Sequence, residues 1–578
     1  MFYTRLLLMI TLYSPWLLLN AATVSVELKG IDGGLLTNTR AFLSIYNESQ
    51  GSADLSTLRI QQLHRKATSQ IKQALQPFGY YQTTITKSLK LVENNWQAQY
   101  QIDKGLPVRI DTLDFTLSGP GKNNKNFVDA KSDFSLKVGD ILNHANYESI
   151  KQSLQSVALA EGFLKAKFAI SEIRVDLKKY TASIQLHFET GSQFLFGEVR
   201  FVQIGEQLNE EFLKRYIPFK SGDPYSTEKL IHLQTVLSDS DLFSRIEINQ
   251  LFEEIEDLNV PLEIRVTPSK PKKFRFGLGY GSDSGARASA EHQRRVSPKG
   301  HILTLKVKTS QRINRIDMQY MMPLKNPAKD QFTMNTHYLR QVTESRKTYA
   351  GAMDFRMIYS WKKWRQAIAI TYEREDYEVA DQSDSSQLIM PNIDWIKSSF
   401  NNRIYPTNAS RYTIEIWASH TNWLSDVDFL QLRLSGKWIF PLSKNGRLIT
   451  RLNTGATAIH SINELPASKR FFTGGDQSLR GYAYEELGPL DNQGETIGGK
   501  YLAVASVEYE YRIFDNWGVG FFYDAGNSFN TFKEKIYRGY GLGIRWRSIV
   551  GPVRLDLGWP VDKQVDYPRL HLIIGLDL

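Results

Sequence analysis

Side chains able to make or break covalent bonds are scarce in this chain. It has no cysteine, which excludes a thiol nucleophile, a thiolate metal site and a disulfide framework. No G-x-S-x-G or H-E-x-x-H run occurs, and the 10 histidines form no ligand-like cluster. The residues therefore point to a protein that is not an enzyme and that uses no metal or cofactor. Two short runs stand out instead. Leu479-Arg480-Gly481-Tyr482 lies within Phe471–Pro489, a stretch with Gly474-Gly475 and few strand formers that predicts an extended loop. Phe522-Tyr523-Asp524-Ala525-Gly526 lies on an alternating segment, with Trp517, Val519, Phe521 and Tyr523 on one side and Phe522 and Asp524 on the other. Taken singly, Arg480 reads as a solvated loop arginine and Asp524 as an ordinary carboxylate on a polar strand face.

Both runs fall in residues 269–578, where one strand after another alternates between apolar and polar side chains. Phe274, Phe276, Leu278 and Tyr280 alternate with Arg275, Gly277, Gly279 and Gly281. Val507, Tyr509 and Tyr511 oppose Glu508, Glu510 and Arg512, and Val553, Leu555 and Leu557 oppose Arg554, Asp556 and Gly558. The alternation runs to the end through Leu570, Leu572, Ile574, Leu576 and Leu578, with His571, Gly575 and Asp577 on the other face. The G-x-G-x-G at Gly277 is a strand with one bare face, because no helix follows it as a dinucleotide loop requires. No helical segment is present for these strands to pack on. A sheet that is apolar on one face and has no second layer fits a closed barrel in a bilayer, apolar outside and polar within. Roughly 10 residues per spanning strand, and as many again for its share of turns, predict about 16 strands, with 14 or 18 as neighbouring solutions. Nine of the 11 tryptophans lie beyond residue 350, as interfacial aromatic girdles require.

Bulk properties agree with this reading. Mean hydropathy is −0.36, too polar for a bundle of spanning helices, and beyond the N-terminus no run of about 18 apolar residues occurs. Met1–Ala22 reads as a secretory signal, with Arg5 ahead of the apolar Leu6–Leu19 and small residues at Ala21-Ala22. The net charge of +10 is concentrated in residues 271–578, whereas 23–270 are nearly balanced. Basic excess in a barrel suits lipid phosphates or lumen walls. The absence of a continuous basic run interleaved with aromatics argues against nucleic acid as a partner.

The first half repeats. Gly105 and Gly119 are 14 apart, as are Gly191 and Gly205, each pair following a similar strand end (Gln101-Ile-Asp-Lys-Gly105; His187-Phe-Glu-Thr-Gly191). Helical spacing recurs at Leu63/Ala67/Ile71/Leu75, at Tyr147/Ile150/Leu154/Val157 and at Leu230/Leu233/Leu237. A turn follows each helix, at Gly79-Tyr80, Gly162-Phe163 and Asp241-Leu242. The order strand, helix, helix, strand, strand predicts three tandem α+β modules over 23–105, 106–193 and 194–268. The use of such a module is its open sheet edge, which accepts an extended peptide through backbone hydrogen bonds.

This module order, with its glycine-aromatic turn, resembles the POTRA domain. The two short runs look like the (V/I/L)-R-G-(F/Y) loop motif and the F-x-D-x-G strand motif of the BamA/TamA superfamily of outer-membrane assembly proteins. Tyr405-Pro406-Thr407 and Tyr320-Met321-Met322-Pro323 also resemble turn segments of that family. Three modules ahead of the barrel are most similar to the TamA branch. The resemblance implies that the loop folds back into the barrel, where Arg480 pairs with Asp524, Gly481 allows close approach and Tyr482 packs on the wall. Phe522 and Gly526 complete the strand motif. It also implies a lateral seam between the first strand (Phe274, Phe276, Gly277, Leu278, Gly279) and the last (Leu572, Ile574, Gly575, Leu576, Leu578). It implies unfolded outer-membrane protein clients such as autotransporters, contact with outer-membrane lipid, and a TamB-like, inner-membrane-anchored partner. The implied location is the outer membrane of a Gram-negative cell, with the modules in the periplasm. The competing expectation is a passive channel or a conduit for phospholipid.

Overall fold

The computed structural model describes residues 23–51, 55–93, 95–402, 405–548, 551–564 and 567–574. The expected signal at 1–22 and three expected seam residues, Gly575, Leu576 and Leu578, lie outside the described residues. The chain divides into two compact units: residues 1–199 with 219–231 and 250–262, and residues 200–218 with 232–249 and 263–578.

The first half contains three small sheets of three strands: β1 (Thr23–Lys29), β2 (Thr84–Val92) and β3 (Asn95–Asp103); β4 (Arg109–Ser118), β5 (Lys167–Asp176) and β6 (Thr181–Glu189); β7 (Leu195–Gln203), β8 (Phe243–Gln250) and β9 (Asn259–Pro268). In each sheet the last strand is central, so the order is first, third, second. The first two modules bury their helices on that central strand. Helix α3 (Thr57–Leu75), which follows α1 (Gly33–Phe42) and α2 (Ser44–Ser49), is capped by Ser56 and packs Leu63, Ala67 and Ile71 against Ala98, Tyr100 and Ile102. The first module thus carries one helix more than the repeat predicts. After α4 (Lys125–Ser132), α5 (His144–Ala160) packs Tyr147, Ile150 and Leu154 against Ile184, Leu186 and Phe188. Ala158 is the last fully buried position of α5, and Val157, expected there, is half-buried.

The glycine-aromatic turns are the joints of this array. Gly79 and Gly162 are left-handed, with φ of 87° and 80°. Their carbonyls accept the N–H of Val108 and of Phe194, both at 2.8 Å, where the next module begins. A Cβ on Gly79 would lie 2.8 Å from the Leu142 carbonyl oxygen, and one on Gly162 2.6 Å from that of Tyr225. Each glycine is therefore required by the backbone of the following module.

The second half is a closed antiparallel barrel of 16 strands, β10 (Lys272–Gly281) to β25 (Arg569–Ile574), paired in sequence order. Its outer positions are apolar and exposed, as at Phe276, Leu278, Ile370, Phe521 and Leu542, whereas Glu508, Asp524 and Asp556 are buried on the inner face. Among the described residues no helix is long and apolar enough to cross a membrane; a barrel crosses with strands.

Candidate functional site

A loop of 42 residues links β20 (Gly446–Ala458) to β21 (Tyr501–Arg512). It is longer than the Phe471–Pro489 expected, and only short 3-10 turns interrupt it. Positive φ at Gly474, Gly475, Gly481, Gly488, Gly494 and Gly498 explains why no strand forms there. The loop lies against inward-facing side chains of the barrel.

Arg480 is at its centre, with a side chain 2% exposed. Its guanidinium forks onto Asp524 of β22 (Trp517–Phe529), Nε donating to Oδ2 at 2.8 Å and Nη2 to Oδ1 at 2.9 Å. The Arg480 backbone N–H donates to the same Oδ2 at 3.1 Å. Nη1 reaches Glu508 Oε2 on β21 at 2.7 Å and Asp556 Oδ2 on β24 (Gly551–Pro560) at 3.3 Å. The Phe522 ring lies 3.5 Å from the guanidinium carbon and closes the stack from below. A second arginine, Arg545 on β23 (Tyr537–Ser548), bridges the same acids. It donates to Glu508 Oε1 at 2.6 Å and to Glu510 Oε1 at 2.9 Å, and it pairs with Asp556. Buried charges of both signs thus satisfy one another.

The flanking motif residues take up the remaining room. A Cβ on Gly481 (φ 98°) would lie 2.9 Å from the backbone of Trp559 and Pro560, so only glycine lets the loop approach β24. The Gly481 N–H donates to His571 Nε2 of β25 at 3.2 Å. Leu479 and Tyr482 are buried with Leu487 against Tyr537, and the Tyr482 hydroxyl donates to the Arg538 carbonyl at 3.2 Å. Gly526 sits where any Cβ would meet the backbone of Ala503 and Val504.

Residues not singled out in the sequence complete the lock. Glu508 and Asp556 were legible only as polar-face positions, and Arg545 was not singled out. Glu485, left-handed at φ 59°, accepts from Arg346 Nη2 at 2.7 Å, Thr343 Oγ1 at 2.9 Å and Ser345 Oγ at 2.9 Å on the far wall. Lys469 pairs with Glu373 at 2.7 Å. No sequence signal marks these pairs, because their partners are more than ninety residues away.

Among the described residues β10 and β25 pair only at Tyr280–Ile574 and Gly281–Ile573. Ser282 N–H adds a bond to the Leu572 carbonyl at 3.0 Å. The expected seam residues Phe274, Phe276, Gly277 and Leu278 lie on β10 ahead of these pairs. A Cβ on Gly279 would lie 2.9 Å from the Ile574 carbonyl oxygen, so this glycine admits the last strand.

A lipid-facing barrel with a charge-locked inner loop, preceded by tandem α+β modules, defines a POTRA-bearing membrane barrel. Residues 298–577 match the Omp85 superfamily domain, and residues 25–104 match POTRA domain TamA domain 1. The barrel half is thus an Omp85 superfamily domain, and a TamA-type assignment fits the first module. It is similar to the outer membrane protein assembly factor BamA of Nitratidesulfovibrio vulgaris, 22% identical over 63% of this chain and 48% of the relative. With BamA of Neisseria meningitidis the identity is 21% over 69% of this chain and 59% of the relative. The chain thus spans about half the length of the curated relatives it matches. The crystal structure of BamA from Haemophilus ducreyi lacking POTRA domains 1-3 superposes with a TM-score of 0.64 at 16% identity, covering 81% of this chain and 99% of that one; that likeness is one of fold.

Proposed function

We propose that this protein is an outer-membrane translocation and assembly factor that inserts client β-barrel proteins, autotransporters among them, through the β10/β25 seam. The observation that carries this reading is a closed barrel whose first and last strands meet at β10 and β25, with the inner loop locked by charge to β21, β22 and β24 beside that junction. A β10 edge freed by parting from β25 can template an incoming strand by backbone hydrogen bonds, which read little sequence. No bond is made or broken covalently, in keeping with the scarcity of reactive side chains. In this reading the barrel sits in the outer membrane of a Gram-negative cell and the modules stand in the periplasm. Their edge strands receive unfolded clients and a TamB-like partner anchored in the inner membrane. The ion pairs at Arg480, Glu485 and Lys469 tie the loop across the lumen, which disfavours a passive channel.

The test is insertion of an unfolded autotransporter barrel into liposomes carrying this protein, read by protease protection. Because the chain has no native cysteine, Tyr280→Cys with Ile574→Cys makes a single disulfide across the seam. Acceleration by the reduced form and none by the oxidised form is expected. Equal acceleration by both would refute the lateral route.

A further inference from the structure

Between Gly475 and Gly481 the inner loop touches both sides of the seam. On one side Arg480 fixes it to β21, β22 and β24, and the Gly481 N–H donates to His571 on β25. On the other side it meets the turn that joins β10 to β11 (Gly285–Arg295). There the Asp476 N–H donates to Asp283 Oδ2 at 2.5 Å. Asp283 is 7% exposed although it lies in a turn. The neighbouring Ser282 N–H donates to the Leu572 carbonyl of β25 at 3.0 Å, so this turn sits at the seam itself.

The loop is shaped to receive the carboxylate. Gly474 and Gly475 are both left-handed, with φ of 114° and 100°, and the Ser478 N–H closes the turn on the Gly475 carbonyl at 3.2 Å. A Cβ on Gly475 would lie 2.3 Å from Asp283 Oδ2, so only glycine leaves room for it. A hydrogen bond from a backbone N–H to a charged acceptor is among the stronger ones, and removing that acceptor leaves a buried donor unsatisfied. The Arg480 lock holds the loop to the last strands and Asp283 holds the first hairpin to the loop. We infer that Asp283 is the latch of the seam: β10 parts from β25 only when its carboxylate leaves the Asp476 amide. The inference rests on the lateral route proposed above and names the contact that governs it.

The chain has no native cysteine, so spin labels go only where a cysteine is introduced. Ala288→Cys on β11 and Leu557→Cys on β24 flank the seam, opposite the outward Leu278 and Leu570. Ile370→Cys with Leu432→Cys, both outward, reports on the wall. Distances are measured by pulsed electron resonance in the full-length protein in phosphatidylcholine nanodiscs, without client. Asp283→Ala and Gly475→Ala should each at least double the share of long distances across the seam and leave the wall pair as in wild type. Asp283→Asn, which keeps an acceptor oxygen, should stay nearer to wild type than to Asp283→Ala. Heat-modifiable gel mobility identifies the variants that keep a folded barrel. An unchanged seam distribution in folded Asp283→Ala and Gly475→Ala overturns the latch. Equal widening of the wall pair overturns it too, as does a seam as open with Asp283→Asn as with Asp283→Ala. Because no client is present, these distances can refute the latch while the seam disulfide upholds the lateral route, or the reverse.

Discussion

The wall formed by β15 (Arg346–Trp361), β16 (Trp364–Val379) and β17 (Gln382–Phe400) differs from the region around the β10/β25 seam in what the inner loop adds to the backbone ladder. β15 and β16 are in register along sixteen residues, and β16 and β17 along fifteen. The seam joins strands of ten and six described residues at two positions. Strands β21, β22, β24 and β25, which lead to the seam, are held from inside by the loop: by Glu508, Asp524, Asp556 and His571, all around Arg480 and Gly481. Closure beside the seam therefore depends on side-chain charge, whereas closure of the wall depends on the ladder.

The largest effect expected is the contrast between two disulfides. Oxidised Tyr280→Cys/Ile574→Cys should abolish client insertion. Tyr372→Cys/Ile389→Cys, an outward pair in register on β16 and β17, should leave its rate within about twofold, since geometry suited to a disulfide adds no strain. Loss of activity with both would mean that the whole barrel must flex, and the distinction between seam and wall would fall.

Next comes the lock. Arg480→Ala leaves Asp524 and Glu508 buried with fewer partners, and breaking a buried pair from one side costs about 3–5 kcal/mol. Proteolysis within 459–500 should accelerate strongly. Arg480→Lys, a point charge without the fork, should fall between. Arg346→Ala should cost less, because Glu485 keeps hydroxyl donors from Thr343 and Ser345. Equal proteolysis of Arg480→Ala and Arg346→Ala would remove the special place of the seam-side strands.

What was legible in the sequence follows the same division. Alternation at Trp517–Tyr523 placed Asp524 inside because a strand's period of two is local, and it placed Glu508 and Asp556 there as well. The three modules were visible because each repeats a helical stripe and the turn after it, with glycine in the first two and Asp241 in the third. Glu485 was invisible: its left-handed backbone and its donors on β15 and the turn before it arise only when the loop is already folded inward. Gly279 was legible only as a bare strand position, and its part in admitting the Ile574 carbonyl depends on the register at closure, which no local pattern encodes.

A smaller effect is expected in amide exchange. If the seam opens sideways, amides of β10 between Lys272 and Gly281 should exchange faster than those of β16 between Arg365 and Val379, which should be the slowest in the barrel. Slow exchange along all of β10 would show the seam to be covered.

The smallest effect moves the comparison from the barrel to the modules, where two half-buried histidines each meet a tyrosine hydroxyl. His144 Nε2 lies 2.8 Å from the Tyr81 hydroxyl at the joint between the first and second modules, and burial, opposed by Glu148, lowers its pKa. His64 Nδ1 lies 2.9 Å from the Tyr100 hydroxyl, and burial, with Lys87 adding to it, lowers its pKa as well. A histidine whose folded pKa is depressed stabilises the fold fully above its ordinary value, near 6.5, and loses that contribution as pH falls through the folded value. Exchange at residues 60–82 and 142–147 should therefore rise between about pH 7.5 and pH 5.5 after correction for intrinsic rates. The β15–β16 ladder, held by backbone bonds that do not titrate in this range, should stay unchanged. Tyr81→Phe should remove part of the difference at 142–147 and none at 60–71, because the two histidines have separate partners. If the wall loosens with acid as much as the joints do, the response belongs to the whole chain and the histidines do not set it.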